Sequence, residues 1–139
     1  MKRIFADAGY WIALLNPKDQ LHPQARALES SLRTARLVTT EFVLAEFLNF
    51  YAPRGHLLRL AAAQLAGSIL NDAQIEVMPP DRKLFADGVA LYLGRPDKHY
   101  SLTDCISMVV MRRWGITEAL TQDRHFRQEG LRALFKSGG

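Results

Sequence analysis

Apolar positions along this chain fall into two alternating kinds: short runs of a strand's length, and longer stretches in which they recur at helical spacing. "RIFAD", 3–7, reads as a short buried strand ending in an acid, and "GYWIALL", 9–15, starts a helix that "NPKD" stops. Beyond His22-Pro23, "QARALESSLRTA" sets Ala25, Leu28 and Leu32 at helical spacing. "RLVTT", 36–40, is strand-like and offers Thr39 or Thr40 as the cap of the next helix. That helix, "EFVLAEFLNFYA", is apolar or aromatic at eight of the ten positions from 42 to 51, the exceptions being Glu46 and Asn49. An element apolar nearly all round is mostly buried. "PRG" ends it at 53–55, and a second helical stretch, "HLLRLAAAQLAGSIL", leads to the strand "IEVM", 75–78, closed by Pro79-Pro80. "DRKLFADGVALYLG" is an amphipathic helix ended by Gly94. "SLTDCISMVVMRRWG", 101–115, is another, with Arg112 and Arg113 matched to the dipole of the last turn and Gly115 to the stop. "TEALT", 117–121, is a fourth strand before Gln122-Asp123, and "LRALF", 131–135, is a last strand or a helical turn.

Strands alternating with helices predict an α/β fold: a parallel sheet of four to five strands with helices on both faces. Sites in such sheets open beyond the carboxyl ends of the strands. Asp7 and Asp123 each follow a strand, so they become neighbours if those two strands are adjacent. No repeat, linker or low-complexity tract interrupts the 139 residues, which are read as one domain, 1–139.

Composition narrows the class. Hydrophobic residues at 48% and charged residues at 23% describe a soluble globular chain, and no apolar run approaches the roughly 20 residues that cross a bilayer. Two basic residues precede an apolar segment at the start, but Asp7 interrupts it and no small-residue cleavage site follows, so the start is read as mature protein. Cys105 is the single cysteine, which excludes an internal disulfide and suits a reducing cytoplasm. The formal charge of +4 is compatible with a polyanionic partner, the more so if several acids are withdrawn into one pocket.

Four acids stand in awkward places. Asp7 sits between a strand and a helix, where an N-cap is the ordinary role. Glu46 lies on a helical face with Val43, Phe47 and Phe50, and a buried carboxylate there needs a cation; Arg54, two turns on, is one structural partner. Asp104 caps its own helix in either of two frames, with Ser101 or with Thr103 as N-cap, the first giving capping-box spacing. Asp123 is a turn aspartate or another cap. Glu41, in a first turn, is structural. Each role is sufficient alone. Together, two acids at strand ends, one on an apolar helix and one at a helix start can converge on a single pocket, and close carboxylates repel unless a cation neutralises them. The donors are all oxygens, and His22, His56, His99 and His125 show no zinc-type spacing, so Mg²⁺ or Mn²⁺ is the natural ion. Such an ion activates water and stabilises the leaving oxygen of a phosphodiester.

The segments "RIFADAGYWIALLNPKDQLHPQA", "TTEFVLAEFLN", "SLTDCISMVVMRRWGI" and "ALTQDRHF", in that order, resemble the PIN-domain family, and more narrowly its VapC-type ribonuclease toxins. The resemblance runs from about residue 3 to 126. It implies a three-layer α/β sandwich and a metal-dependent endoribonuclease acting through metal-activated water. The family's acidic quartet falls on Asp7, Glu46, Asp104 and Asp123, with Asp7 and Asp104 as direct metal ligands and the other two completing the site or orienting water. Thr40, Thr103 and Thr121 are candidates to hydrogen-bond the carboxylates. The resemblance also implies an RNA substrate, an antitoxin protein as partner, and a homodimer, with Arg54, Arg95, Lys98 and Arg124 available to RNA phosphates. Two departures stand out. Ala8-Gly9 follow Asp7 where many members carry a hydroxyl, and Arg124-His125 follow Asp123 where many carry another acid, which favours one ion over two. The rival class is a non-catalytic RNA-binding or scaffold domain, which loss of an acid would have favoured. A phosphoaspartyl enzyme wants an acid where Gly9 stands, and no glycine-rich loop leads into Lys-Ser/Thr.

Overall fold

A computed structural model describes residues 1–136; the last three positions of the expected 1–139 unit lie outside the described residues. The chain runs β1 (Arg3–Ala6), α1 (Ala8–Leu15), α2 (His22–Ser31), β2 (Arg36–Thr40), α3 (Glu41–Tyr51), α4 (His56–Asn71), β3 (Ile75–Met78), α5 (Arg82–Gly94), α6 (Leu102–Arg113), β4 (Glu118–Leu120), α7 (His125–Gln128) and β5 (Arg132–Ala133). The five strands form one parallel sheet in the order β3-β2-β1-β4-β5. The fold is the α/β sandwich expected, and "LRALF" contributes an edge strand.

β1 is the middle strand, and Ile4, Phe5 and Ala6 are fully buried, as a strand covered on both faces requires. Thr39 Oγ1 donates to the Ala6 carbonyl at 2.8 Å, so the hydroxyl survives burial on β2 by pairing with the neighbouring strand. Helices α1 to α4 touch one another, α5 to α7 form a second set, and α3 meets α6 between them. The core joins Phe5, Phe47, Phe126 and Phe135 with Tyr10 and Tyr51. Each fully buried side chain of this size contributes about 1.5–3 kcal/mol.

Local chemistry sets the helix ends. Thr40, at the end of β2, accepts the Val43 N–H at 3.1 Å and starts α3. Asp81 accepts the Leu84 N–H at 2.7 Å and starts α5. α2 begins at His22, two residues before the expected stretch, because Pro23 fits a first turn, where no N–H partner is needed. Helix α7 was not expected: four residues are too few to show a period.

Candidate active site

Strands β1 and β4 lie side by side, and the Asp7 N–H donates to the Leu120 carbonyl at 3.3 Å. The two strand ends that carry Asp7 and Asp123 therefore share one edge. The chain leaves β1 toward β2 and β3 on one side and leaves β4 toward β5 on the other, and parallel sheets open a crevice at such a point. Helix α3 adds Glu46 and the first turn of α6 adds Asp104. All four expected acids line one depression of about 220 Å³, with Ala8, Gly9, Thr121 and Gln122 in its wall. A larger apolar cleft of about 270 Å³ lies around Trp11 between α1, α2 and α4, but it contains none of the four.

Asp7 occupies the N-cap position of α1 yet makes no side-chain cap bond. Its Oδ2 accepts instead from Thr121 Oγ1 at 2.9 Å. The same hydroxyl accepts the Asp123 N–H at 3.0 Å, so Thr121 ties both strand ends together. Burial pushes the Asp7 carboxyl up to about 7; the charge of Asp104 adds to this, and the Thr121 bond only partly offsets it.

Asp104 has two attachments. Ser101 Oγ accepts the Asp104 N–H at 3.0 Å, and Asp104 Oδ2 accepts the Ser101 N–H at 3.2 Å, which is the capping box with Ser101 as N-cap. Burial first, and then the charge of Asp123, hold the Asp104 carboxyl above the usual carboxylate range. Asp123 is a turn aspartate as well, its Oδ1 accepting the His125 N–H at 2.9 Å.

Glu46 differs from expectation. Its side chain is exposed at the mouth of the depression rather than sunk among the aromatics. Arg54 is not its partner: the guanidinium lies 3.7 Å from the centre of the Phe50 ring and donates to the Phe50 carbonyl. The unpaired carbonyls at the end of α3 outcompete a carboxylate two turns away. Partial burial, then the charges of Asp104 and Asp123, raise the Glu46 carboxyl above its ordinary value. Among the described residues, no Lys or Arg forms an ion pair with any of the four acids. Carboxylates gathered with no Lys or Arg paired to them among the described residues, two of them buried, suit an external cation.

Of the three threonines, Thr121 touches a site acid and Thr40 spends its hydroxyl on the α3 cap. Two features were not read from the sequence. His125 brings Nδ1 to 3.1 Å from Asp123 and 3.5 Å from Asp104. Glu129 accepts from Arg95 at 3.1 and 3.2 Å, from Arg112 at 2.6 Å and from Tyr100 at 2.9 Å. Only the Asp123-x-His125 spacing could have signalled the first, and no local pattern marks the second, since its partners lie 17 to 34 positions away.

The description "PIN domain" fits residues 4–130, and the chain belongs to the PIN-domain family. It is similar to the 23S rRNA-specific endonuclease VapC20 of Mycobacterium tuberculosis strain CDC 1551 / Oshkosh, with 30% identity over 129 residues, 92% of this chain and 95% of the relative. The protein of the same name from strain H37Rv matches to the same extent. The crystal structure of Mycobacterium tuberculosis VapC20, described as a Sarcin-Ricin loop cleaving toxin, superposes with a TM-score of 0.82 at 29% identity, covering 92% of this chain and 95% of that one.

Proposed function

We propose that this chain is a metal-dependent endoribonuclease, hydrolysing RNA phosphodiester bonds as the toxin of a type II toxin–antitoxin pair. The observation that carries it is the convergence of Asp7, Glu46, Asp104 and Asp123 on one depression with no Lys or Arg paired to them. Oxygen donors favour Mg²⁺ or Mn²⁺. Asp7 and Asp104 are the direct ligands in this reading, and Glu46 and Asp123 complete the site or orient water. The bound ion supplies positive charge that makes water a better nucleophile and stabilises the departing oxygen.

The chain's own groups do the positioning. Thr121 aims the Asp7 carboxylate, and the Ser101 N–H fixes that of Asp104. Glu46, free at the mouth, accepts a hydrogen bond from the attacking water and sets its direction. Of the basic residues singled out from the sequence, Arg54 and Arg95 are committed to Phe50 and Glu129, which leaves Lys98 and Arg124 for phosphates. Arg124 is well placed, because with Arg127 it lines an open depression shared with Asp123.

The whole chain, 1–139, acts as one unit. The exposed stripe of Phe85, Val89, Tyr92 and Leu93 on α5 suits a second copy, and the cleft around Trp11 suits an antitoxin segment. Among the described residues no helix is long and apolar enough to cross a membrane, and the lone buried Cys105 fits a cytoplasmic protein. The relatives' substrate makes 23S rRNA, and its sarcin–ricin loop, the first RNA to try.

The test is cleavage of that RNA and of a mixed structured pool, with Mg²⁺ or Mn²⁺ against EDTA. Asp7→Asn and Asp104→Asn run alongside. Metal-dependent cleavage that both variants lose by at least roughly a hundredfold supports the reading. Asp104→Asn remains folded, because Ser101 stays the N-cap and the Asn side-chain oxygen still accepts the Ser101 N–H. Full activity in a folded variant removes that acid from the site. RNA binding without cleavage under any metal condition replaces the enzyme with an RNA-binding module.

A further inference from the structure

His125 opens α7 two positions after Asp123, and its ring turns back over the strand edge. Nδ1 is shielded from solvent and has no aligned hydrogen bond, although two carboxylate oxygens lie at 3.1 and 3.5 Å. A buried ring nitrogen ordinarily has a partner, so this one is a vacancy in the local bonding. The backbone N–H of the same residue already holds Asp123 Oδ1, and the Tyr100 ring packs on the imidazole with centroids 5.2 Å apart. The backbone is thereby anchored, and the ring is braced on one side by Tyr100.

Asp104, Asp123 and His125 each present one donor atom, and all three atoms lie within 4.8 Å of one another. Ligands at right angles around an ion, with bonds of about 2.1 Å, are separated by roughly 3 Å, and opposite ones by roughly 4.2 Å. The separation from Asp123, 3.1 Å, sits near the right-angle value, and that from Asp104, 3.5 Å, lies between the two.

Building on the metal-dependent reading above, in which Asp7 and Asp104 are direct ligands and Asp123 completes the site, we propose that His125 Nδ1 is itself a further metal ligand. This makes the site prefer a first-row transition ion such as Mn²⁺ to Mg²⁺. With the ring proton on Nε2, Nδ1 presents its lone pair to the ion. Imidazole suits transition ions, whereas Mg²⁺ keeps oxygen ligands and water. The residue that departs from the usual acid at this position therefore changes which ion is chosen rather than only removing a charge. The other role open to the same atom is an N–H clamp between the two carboxylates. A ligand nitrogen leaves a signature that a clamp does not.

Pulsed electron paramagnetic resonance on the Mn²⁺-loaded protein reads the ligand nitrogen directly, and calorimetry reads affinity. The expected result is imidazole nitrogen modulation in the unaltered chain and its loss in His125→Gln. Mn²⁺ binding in that variant weakens roughly 10- to 100-fold while Mg²⁺ binding changes far less. His125→Asp puts oxygen in place of nitrogen: it loses the modulation and keeps Mg²⁺ binding, with circular dichroism confirming that both variants fold. Bound Mn²⁺ without nitrogen modulation, or modulation that survives in both variants, overturns the ligand assignment and leaves the metal-dependent nuclease standing. An unaltered chain that binds no ion overturns both.

Discussion

Asp7 carries the largest electrostatic burden of any side chain in the depression. The folded chain holds its proton up to about pH 7, while an unfolded aspartate releases it near 3.8, so the folded state binds more protons across that window. The contribution of Asp7 to the stability of the metal-free protein therefore falls as pH rises from about 4 to about 7 and is level above that. Asp7→Asn removes the charge and keeps an oxygen for Thr121. It is expected to stabilise the metal-free protein by about 1–3 kcal/mol at pH 8 and by little at pH 4, measured by urea denaturation at the two values. Thr121 is the complementary case. Thr121→Val deletes the hydroxyl that both aims Asp7 and holds the Asp123 N–H. Cleavage should drop roughly 10- to 100-fold with Mn²⁺ affinity falling alongside it, read by calorimetry and single-turnover kinetics. Unchanged metal affinity would leave Thr121 with a purely structural part.

At the scale of elements, α5 packs on α6 with Gly88 against Ile106, and a Cβ at Gly88 would lie 2.4 Å from Ile106 Cγ1. Gly88→Ala gains about 1 kcal/mol of helix propensity, but overpacking a tight contact costs about 1–3 kcal/mol. The variant is expected to be destabilised by roughly 1–2 kcal/mol, with a lower urea midpoint at an unchanged slope. Elements were legible in the sequence wherever the period was long enough to see. The strands at 36–40 and 75–78 and the helices from 41 and 102 stand where their apolar patterns and caps place them, and the strand read at 3–7 ends one residue earlier, at Ala6. Helix α7 was hidden by its four residues, and Glu46's exposure by the same periodicity that exposed the helix: a helical wheel shows which residues share a face, not how deep that face is buried.

At the scale of the molecule, the four acids were readable as a set because each sits at an element boundary or interrupts an apolar run. What they meet was not, because contacts between distant elements leave no local trace. Glu129 is the plainest example. Burial alone would raise its carboxyl, but the Arg95 and Tyr100 hydrogen bonds and the Arg95 charge, with Arg112, hold it below the usual range. Its contribution is present above an unfolded value near 4.5 and is lost as pH falls through the lower folded one, opposite in direction to that of Asp7. Glu129→Gln should cost about 1–3 kcal/mol at pH 7, a figure kept modest because solvent screens Arg95 and Arg112. The cost should shrink as pH falls below the ordinary carboxylate range in the same denaturation series.

The bond between Thr121 and Asp7 joins residues 114 positions apart. During synthesis a chain emerges from its first residue onward, and early parts fold before late ones exist. The first acid of this centre is therefore made near the start, but the strand beside it and the hydroxyl that aims it arrive only with the last fifth of the chain. A growing polypeptide of this kind holds no assembled cutting edge until β4 and Thr121 have been made. For a protein whose relatives attack ribosomal RNA, the order of the strands is also a schedule.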